Sequence, residues 1–148
     1  MPYGFGLHPY FPRTPDCTLT ASVAEFWQTD AEAMPTRLVP VPAGLDPRAG
    51  VRLNDHALDN VFAGWDGRAV IRWPEHATRL SIAADGPLRH LVLYTPPGEN
   101  YFCAEPVSNC TDAFNLAATG GRTDTGMLVL EPAAGVAARL SFLPETLR

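Results

Sequence analysis

The sequence predicts an all-β protein with the architecture of an antiparallel β-sandwich. Residues 68–73, 78–84 and 89–95 are short runs, rich in apolar and β-branched side chains, that follow one another closely. Asp66-Gly67 and Asp85-Gly86, which flank these runs, favour tight turns. No window has a sustained helical period, and the chain contains 15 prolines, which interrupt helices. Many short strands separated by turns are typical of a sandwich.

Two stretches nearer the N-terminus predict further strands. Residues 18–28 carry β-branched and aromatic side chains, and their inward-facing positions change phase between Val23 and Ala24. Such a change of phase indicates a β-bulge. Residues 36–42 predict an extended segment whose prolines suit the edge of a sheet.

The middle of the chain predicts a pair of strands on which the rest of the interpretation depends. Residues 91–94 are an unbroken apolar run, typical of a strand that is covered on both faces. A Pro-Gly turn leads to a second strand at residues 101–104, which Pro106 is expected to end. The remaining predicted elements are strands at residues 127–130 and 136–143 and a polar, glycine-rich loop at residues 117–126.

Length and composition predict one globular domain over residues 1–148. The chain is 46% hydrophobic and 18% charged, which argues against disorder. Its net charge is -5, and its 11 basic side chains form no cluster, so a nucleic-acid partner is not expected. No apolar run approaches the roughly 20 residues of a membrane span, so no association with a membrane is expected.

The cysteines and the first residues predict a reducing, cytoplasmic setting. Cys17, Cys103 and Cys110 are odd in number and lack a C-x-x-C spacing, which favours neither a disulfide framework nor a zinc site. The beginning of the sequence lacks the charged and then apolar layout of a signal peptide. The formal glycosylation sequon that begins at Asn109 is therefore attributed to chance.

Two polar residues in apolar surroundings are candidate catalytic residues. Glu105 follows an apolar strand, where partial burial would raise its pKa and let it exchange a proton near neutral pH. His8 lies among aromatic residues, which could hold its ring in one orientation. Each also has a purely structural interpretation, Glu105 as a strand-end carboxylate bonded to a turn and His8 as a packed histidine.

A third candidate, Asp59, lies in a polar stretch between Leu58 and Val61. It is interpreted as a buried acceptor for sugar-type hydroxyl groups. Asp55, His56 and Asp59 could be imagined as metal ligands, but their spacing matches no known type of site. A solvated loop is the expected structure, and no metal site is predicted.

Four motifs together resemble the aldose 1-epimerase (galactose mutarotase) family. Their order and rough separation resemble that family as well, and they extend over nearly the whole chain. The motifs are Gly6-Leu7-His8-Pro9-Tyr10-Phe11, Leu58-Asp59-Asn60-Val61-Phe62, Tyr94-Thr95-Pro96, and Glu105-Pro106 followed by Asp112-Ala113-Phe114-Asn115.

The resemblance implies an acid–base isomerase that needs neither a metal nor a nucleotide cofactor. Its substrate would be a free aldose, whose α and β anomers interconvert by ring opening and closure. His8 matches the general acid of the family, Glu105 the general base, and Asp59 the carboxylate that binds sugar hydroxyls. An apolar platform for the sugar ring is expected from Tyr10, Phe11 and Tyr101, with core packing as the alternative for each.

The resemblance also implies a galactose mutarotase-like sandwich that is truncated at its N-terminal side. Members of the family are about twice as long, so residues 1–148 are expected to be the C-terminal part of that fold. Strand edges and an apolar face left exposed in this way would favour a homo-oligomer or marginal stability.

Two other classes of function are compatible with the sequence. The sandwich could bind a carbohydrate or sugar phosphate without turnover, or act as a hexose-6-phosphate mutarotase, for which Arg13, Arg68 and Arg72 are candidate phosphate ligands. Alternatively, the chain could be a structural remnant that associates with a partner and carries idle motifs.

Overall fold

The chain folds into two antiparallel sheets that face each other, as a computed structural model shows. The described part of the chain, residues 1–120 and 125–147, contains 13 strands, one α-helix and three short 3-10 helices. The strands are β1 (Pro2–Tyr3), β2 (Tyr10–Pro12), β3 (Thr18–Ala21), β4 (Glu25–Thr29), β5 (Pro35–Pro40), β6 (Val51–Arg52), β7 (Asp59–Ala63), β8 (Arg68–Trp73), β9 (Thr78–Ala84), β10 (His90–Tyr94), β11 (Tyr101–Val107), β12 (Leu128–Val129) and β13 (Leu140–Thr146). The helix is α1 (Ala113–Gly120), and the 3-10 helices are Pro47–Ala49, Leu53–Asp55 and Pro74–His76.

The two sheets enclose the main apolar core. One sheet has six strands in the order β2-β11-β10-β7-β4-β5, and the other has five in the order β13-β9-β8-β3-β6. Strands β1 and β12 form a separate pair. Leu19 and Ile71 from the five-stranded sheet pack with Phe62, Leu91 and Phe102 from the six-stranded sheet, and all five are fully buried. This confirms the predicted antiparallel β-sandwich.

The outer face of the six-stranded sheet is covered over part of its area. Trp27 and Val61 on that face form a second apolar cluster with Ala113 of α1, and Val92 and Met127 pack against it. Since neighbouring side chains of a strand point to opposite faces, β10 is apolar on both sides. The unbroken apolar run at residues 91–94 is thereby explained.

The predicted single strand at residues 18–28 is wrong. The structure has two strands there, and each lies in a different sheet: β3 pairs with β8, whereas β4 pairs with β5 and β7. The chain crosses between the sheets at residues 22–24, where the Ala24 N–H donates to the Ala63 carbonyl over 2.9 Å. The change of phase therefore marks a change of sheet, because the inward direction reverses when the chain passes to the opposite layer.

Pro106 does not end its strand, contrary to expectation. Strand β11 continues through Pro106, which pairs with Leu91 of β10. The Pro106 carbonyl accepts a hydrogen bond of 3.1 Å from the Leu7 N–H. The N–H and C=O positions of one strand residue point to the same side of the strand. The position where Pro106 lacks an N–H therefore faces the segment before β2, and the hydrogen bonds between β11 and β10 are intact.

Helix α1 was not predicted. It includes the first residues of the loop that was expected at residues 117–126. Residues 121–124 of that loop lie outside the described residues. Eight residues are too few for a helical period to stand out, and isolated helices of this length are unstable in water. Burial of Ala113 against the outer sheet face stabilises it. In the described part of the chain, no helix is long and apolar enough to cross a membrane.

The last two predicted strands differ from the structure in their extent. β12 comprises only Leu128–Val129, and β13 covers Leu140–Thr146 where residues 136–143 were expected. Strand β13 is an edge strand whose Phe142 and Leu143 are 38% and 59% exposed. The segment predicted at residues 36–42 is strand β5, at the edge of the six-stranded sheet, as expected. The homo-oligomer inferred from such edges stays a prediction.

Arg13 joins three separate segments of the fold. It directly follows β2, and its Nη1 donates to the Pro96 carbonyl over 2.7 Å. Its Nη2 donates to the carbonyls of Leu53 and His56 over 2.8 and 3.1 Å. The guanidinium is partly buried and thus holds the loops before β7 and after β10 against the end of β2.

Replacing Arg13 with Met should lower the free energy of unfolding by about 2–4 kcal/mol, because it leaves the carbonyls of Leu53, His56 and Pro96 without donors. Arg13→Lys should retain part of this stability, since an ammonium cannot reproduce the guanidinium fork. Urea unfolding measures both, with exposed Arg37→Met as a control that should change by less than about 0.5 kcal/mol. Equal stability of Arg13→Met and the parent would contradict this role.

His90 is a buried titratable group on the outer face of the six-stranded sheet, only 6% exposed. Burial lowers the pKa of His90, against a smaller opposing effect of its hydrogen bond with the Ser108 backbone. The folded state therefore resists protonation of this ring, while the unfolded state takes up a proton near pH 6.5.

We expect the stability of the protein to fall as pH decreases from about 6.5 toward the lower pKa of folded His90, because the unfolded state binds more protons in that range. In His90→Gln this part of the pH dependence should disappear, since the other ionisable groups are the same in both proteins. Urea unfolding between pH 5 and pH 8 measures the difference. If the stability of both proteins changes in parallel with pH, protonation of His90 does not cause the loss of stability.

Candidate active site

An open cleft lies on the outer face of the six-stranded sheet, beside the area that α1 covers. Its volume is about 630 Å³, within the range usual for small-molecule sites. Its lining combines carboxylates, aromatic rings and backbone. The lining residues are Gly4, Phe5, His8, Tyr10, Asp59, Val92, Tyr94, Tyr101, Glu105, Val107, Asn109, Cys110 and Thr111.

Strand register places four side chains of this region in one row. Tyr10 of β2 pairs with Cys103 of β11, and Cys103 pairs in turn with Tyr94 of β10. Tyr94 pairs with Asp59 of β7, so the row crosses four adjacent strands. Direct partners in antiparallel strands lie about 5 Å apart and share a face. The row thus forms the floor beneath the cleft, with Glu105 two residues further along β11.

Glu105 and His8 meet at this floor. His8 Nε2 lies 3.2 Å from Glu105 Oε1. Glu105 is 8% exposed, whereas the side chain of His8 is 51% exposed to the cleft mouth. The ring of His8 stacks on Tyr10 with 4.9 Å between centroids. The two side chains that were predicted to act together are therefore in contact, although they lie far apart in the sequence.

A glycine lets the N-terminal segment come this close to β11. Gly6 forms an isolated bridge with Val107. A Cβ added at Gly6 would lie 2.7 Å from the Pro106 carbonyl oxygen and 2.9 Å from the Val107 Cα, which are backbone atoms that cannot move aside. The close approach of this segment, and hence the position of His8 over Glu105, requires glycine at residue 6.

The surroundings of Glu105 favour its protonated form more than water does. Burial raises the pKa of the Glu105 carboxyl, the adjacent His8 lowers it to a smaller degree, and the negative charge of Asp59 raises it again. The net effect is a raised pKa. A carboxylate of this kind accepts a proton more readily near neutral pH than an exposed one. The pair can thus take a proton at one atom and supply one at a neighbouring atom.

The other candidate residues fall into two groups. Asp59 and Tyr10 line the cleft, as does Tyr101, whose ring lies 5.1 Å from that of Tyr10. The prediction of Asp59 as a buried acceptor in a loop is wrong, because Asp59 is exposed and begins strand β7. Phe11 points the opposite way and packs into the core against Phe102. Tyr10 is 63% exposed, so in this structure its ring is available to the cleft and not packed in the core.

The arginines considered as phosphate ligands are not in the cleft. Arg13 bonds to loop carbonyls, as described above, and Arg68 and Arg72 belong to β8 of the other sheet. No arginine or lysine is among the described residues that line the cleft. Within that part of the chain, the cleft offers a phosphate group no guanidinium or ammonium group.

Sequence reasoning missed some residues of this region. Cys103 was considered only for disulfides and zinc spacing, yet it lies two residues before Glu105, and alternation along a strand places both on one face. Tyr94 appeared only within a motif, and Asn109 only as a chance sequon, but both line the cleft. Asp55, His56 and Asp59 do not come together as a ligand group. Within the described residues, the one such group is His8, Cys103 and Glu105.

Known proteins share both the sequence pattern and this fold. A family model described as aldose 1-epimerase matches residues 1–142. The uncharacterized protein YphB of Escherichia coli K12 is 25% identical over 155 residues, an alignment covering 99% of this chain and 52% of YphB.

Solved structures agree in fold. An Escherichia coli K12 protein described as a candidate aldose 1-epimerase has a TM-score of 0.86 at 24% identity, over 99% of this chain and 52% of that one. A galactose mutarotase-like protein from Clostridium acetobutylicum has a TM-score of 0.78 at 20% identity, over 99% and 48%. At these identities the likeness supports the fold alone.

The chain spans about half the length of the relatives it matches. The family match extends over nearly all of its residues, and the galactose mutarotase-like fold agrees with it. The chain therefore belongs to the aldose 1-epimerase family.

Proposed function

We propose that this chain interconverts the α and β anomers of a free aldose by acid–base catalysis. The contact of 3.2 Å between His8 Nε2 and Glu105 Oε1 is the observation that carries the proposal. Mutarotation needs a proton acceptor at the anomeric hydroxyl and a proton donor at the ring oxygen, and both oxygens are bonded to the same carbon. Two adjacent side chains that can exchange protons, at the floor of a cleft, meet that requirement.

The reaction has two stages, ring opening and ring closure. Glu105 takes the proton of the anomeric hydroxyl, His8 gives a proton to the ring oxygen, and the bond between C1 and the ring oxygen breaks as the carbonyl forms. Rotation about the C1–C2 bond presents the other face of the aldehyde. His8 then takes the proton back from the hydroxyl that attacks C1, and Glu105 returns its proton to the new anomeric oxygen. The raised pKa of Glu105 favours the first step.

Asp59 and Tyr10 are proposed to bind the sugar. Asp59 faces the cleft at the start of β7, where its carboxylate can accept hydrogen bonds from ring hydroxyls. Tyr10 offers an aromatic face beside His8, on which the C–H face of a pyranose can lie. The two carboxylates of the cleft, with no arginine or lysine among its described lining residues, favour a neutral sugar over a sugar phosphate.

Binding without turnover is a second candidate, because the cleft is open and the chain spans about half of its relatives. Substrate contacts supplied by the other half of such proteins would then be lacking. In that case Asp59 and Tyr10 would bind a sugar while the pair of His8 and Glu105 stays idle.

Glu105→Gln should reduce the catalysed rate of mutarotation by about 10²–10⁴-fold, because an amide cannot take up the anomeric proton. Polarimetry of freshly dissolved α-D-glucose and α-D-galactose measures this rate. The exposed Glu25→Gln on β4 is the matched control and should leave the rate unchanged. Well-folded parent protein that gives no acceleration, or a Glu105→Gln variant as fast as the parent, would refute the enzymatic proposal.

A sugar that binds the cleft should stabilise the protein against heat, by about 2.7 kcal/mol at a concentration of 100 times its Kd. Glu105→Gln should retain this protection, and Asp59→Ala should lose most of it. Sorbitol, an open-chain polyol, controls for the general stabilisation that excluded solutes produce. Protection by D-galactose without turnover would support the binding function, whereas identical curves with D-galactose and sorbitol would argue against any sugar site.

A further inference from the structure

Three side chains with different metal-ligating atoms meet at the floor of the cleft. The donor atoms of His8, Cys103 and Glu105 all lie within 4.8 Å of one another. They combine an imidazole nitrogen, a sulfur and a carboxylate oxygen, which are the three ligand types of protein zinc sites. Within the described residues, no other group of three such side chains comes this close.

The separations are near those of a tetrahedral site. Zinc bonds of about 2.0–2.3 Å place neighbouring ligand atoms about 3.3–3.7 Å apart. His8 Nε2 and Glu105 Oε1 are already 3.2 Å apart. The other distances among the three donor atoms are at most 4.8 Å, so they must shorten by up to about 1.5 Å. His8 can supply this movement, since half of its side chain is exposed.

The other two ligands are held in place by the sheet. Cys103 and Glu105 lie on the same face of β11, and Cys103 is completely buried in the row between Tyr10 and Tyr94. The two side chains therefore point to the same side of the sheet, and their donor atoms lie within 4.8 Å of each other. A movable histidine over two fixed ligands can close around an ion that enters from the cleft.

We propose that His8, Cys103 and Glu105 bind a thiophilic divalent cation such as Zn²⁺, with the fourth coordination position open to water in the cleft. The sulfur ligand selects Zn²⁺ or Cd²⁺ over Mg²⁺ and Ca²⁺, which prefer sites made of oxygen atoms alone. Once the metal has displaced the proton of the Cys103 thiol, thiolate and carboxylate together carry two negative charges, which balance the charge of the ion.

Binding exchanges a proton for the metal and involves no redox change. The S–H bond of Cys103 breaks, a sulfur–metal bond forms, and the proton passes to solvent. Glu105 binds through a carboxylate oxygen, and His8 binds through the lone pair of a neutral ring nitrogen. One ion occupies one site in each chain.

The bound ion would block the two groups that the proposed mutarotation uses. His8 and Glu105 cannot exchange protons with a sugar while both ligate a metal. This consequence rests on the proposed function, whereas binding of the ion itself does not. Zinc would thus act as an inhibitor at the same floor where the sugar reacts.

Titration with CdCl₂, followed by near-ultraviolet absorption of the cadmium–thiolate bond, tests the site independently of turnover. The parent protein and Cys110→Ser, which alters a cysteine at the cleft lining, should both saturate at one equivalent. Cys103→Ser should give no such absorption, and His8→Gln should bind Cd²⁺ at least about tenfold more weakly. Added ZnCl₂ should displace the cadmium and abolish the absorption, while MgCl₂ should not.

Three results would overturn the proposal: no thiolate absorption in the parent, the same absorption in Cys103→Ser, or unchanged affinity in His8→Gln. The last would reveal a lone thiol and no three-ligand site. If circular dichroism shows that Cys103→Ser does not fold, His8→Gln decides alone, since it alters an exposed side chain. Polarimetry with ZnCl₂ then tests whether the ion inhibits mutarotation. A protein that binds cadmium but does not accelerate mutarotation would refute the proposed function and leave the proposed metal site standing.

Discussion

The guanidinium of Arg13 is the interaction on which the arrangement of the site depends. Its hydrogen bonds hold the loops before β7 and after β10 against the end of β2. Each of these segments leads to residues of the cleft: β2 carries Tyr10, β7 begins at Asp59, and the loop after β10 leads into β11 and Glu105. Thr95 reinforces the same junction, since its buried hydroxyl accepts from the Leu58 N–H and donates to the His56 carbonyl. One cation bound to backbone oxygens thus aligns strands from three distant parts of the chain.

Strand β11 contributes to the core and to the cleft at once. Its inward residues, Phe102 and Ala104, are fully buried between the sheets, while Cys103 and Glu105 face the cleft side. Rigid packing of one face fixes the positions of the side chains on the other. A side chain on a strand that neighbouring strands hold on both sides has a more precisely fixed position than one on a loop.

The sequence predicts most of the strands and names residues that line the cleft, among them His8, Tyr10, Asp59 and Glu105, and the errors have local physical causes. Alternation reveals which residues share a face, but it does not reveal which sheet a strand joins, so the crossing at residues 22–24 was interpreted as a bulge. Helix α1 was missed because its stability comes from burial of Ala113 against the sheet. The contact between His8 and Glu105 was anticipated only through family resemblance. The place of Cys103 in the row depends on register, which the sequence of one strand does not specify.

The order of the strands in the sheet also bears on how the protein is made. Among the described strands, β2 pairs only with β11, so the segment that carries His8 has no partner strand until the segment that carries Glu105 has been synthesised. At about 5–20 residues per second, that interval is on the order of ten seconds. Throughout this time Tyr10 and Phe11 of β2 have no partner strand to pair with. The contact between His8 and Glu105 therefore forms only after β11 has been synthesised, when the segment that carries His8 docks onto that strand.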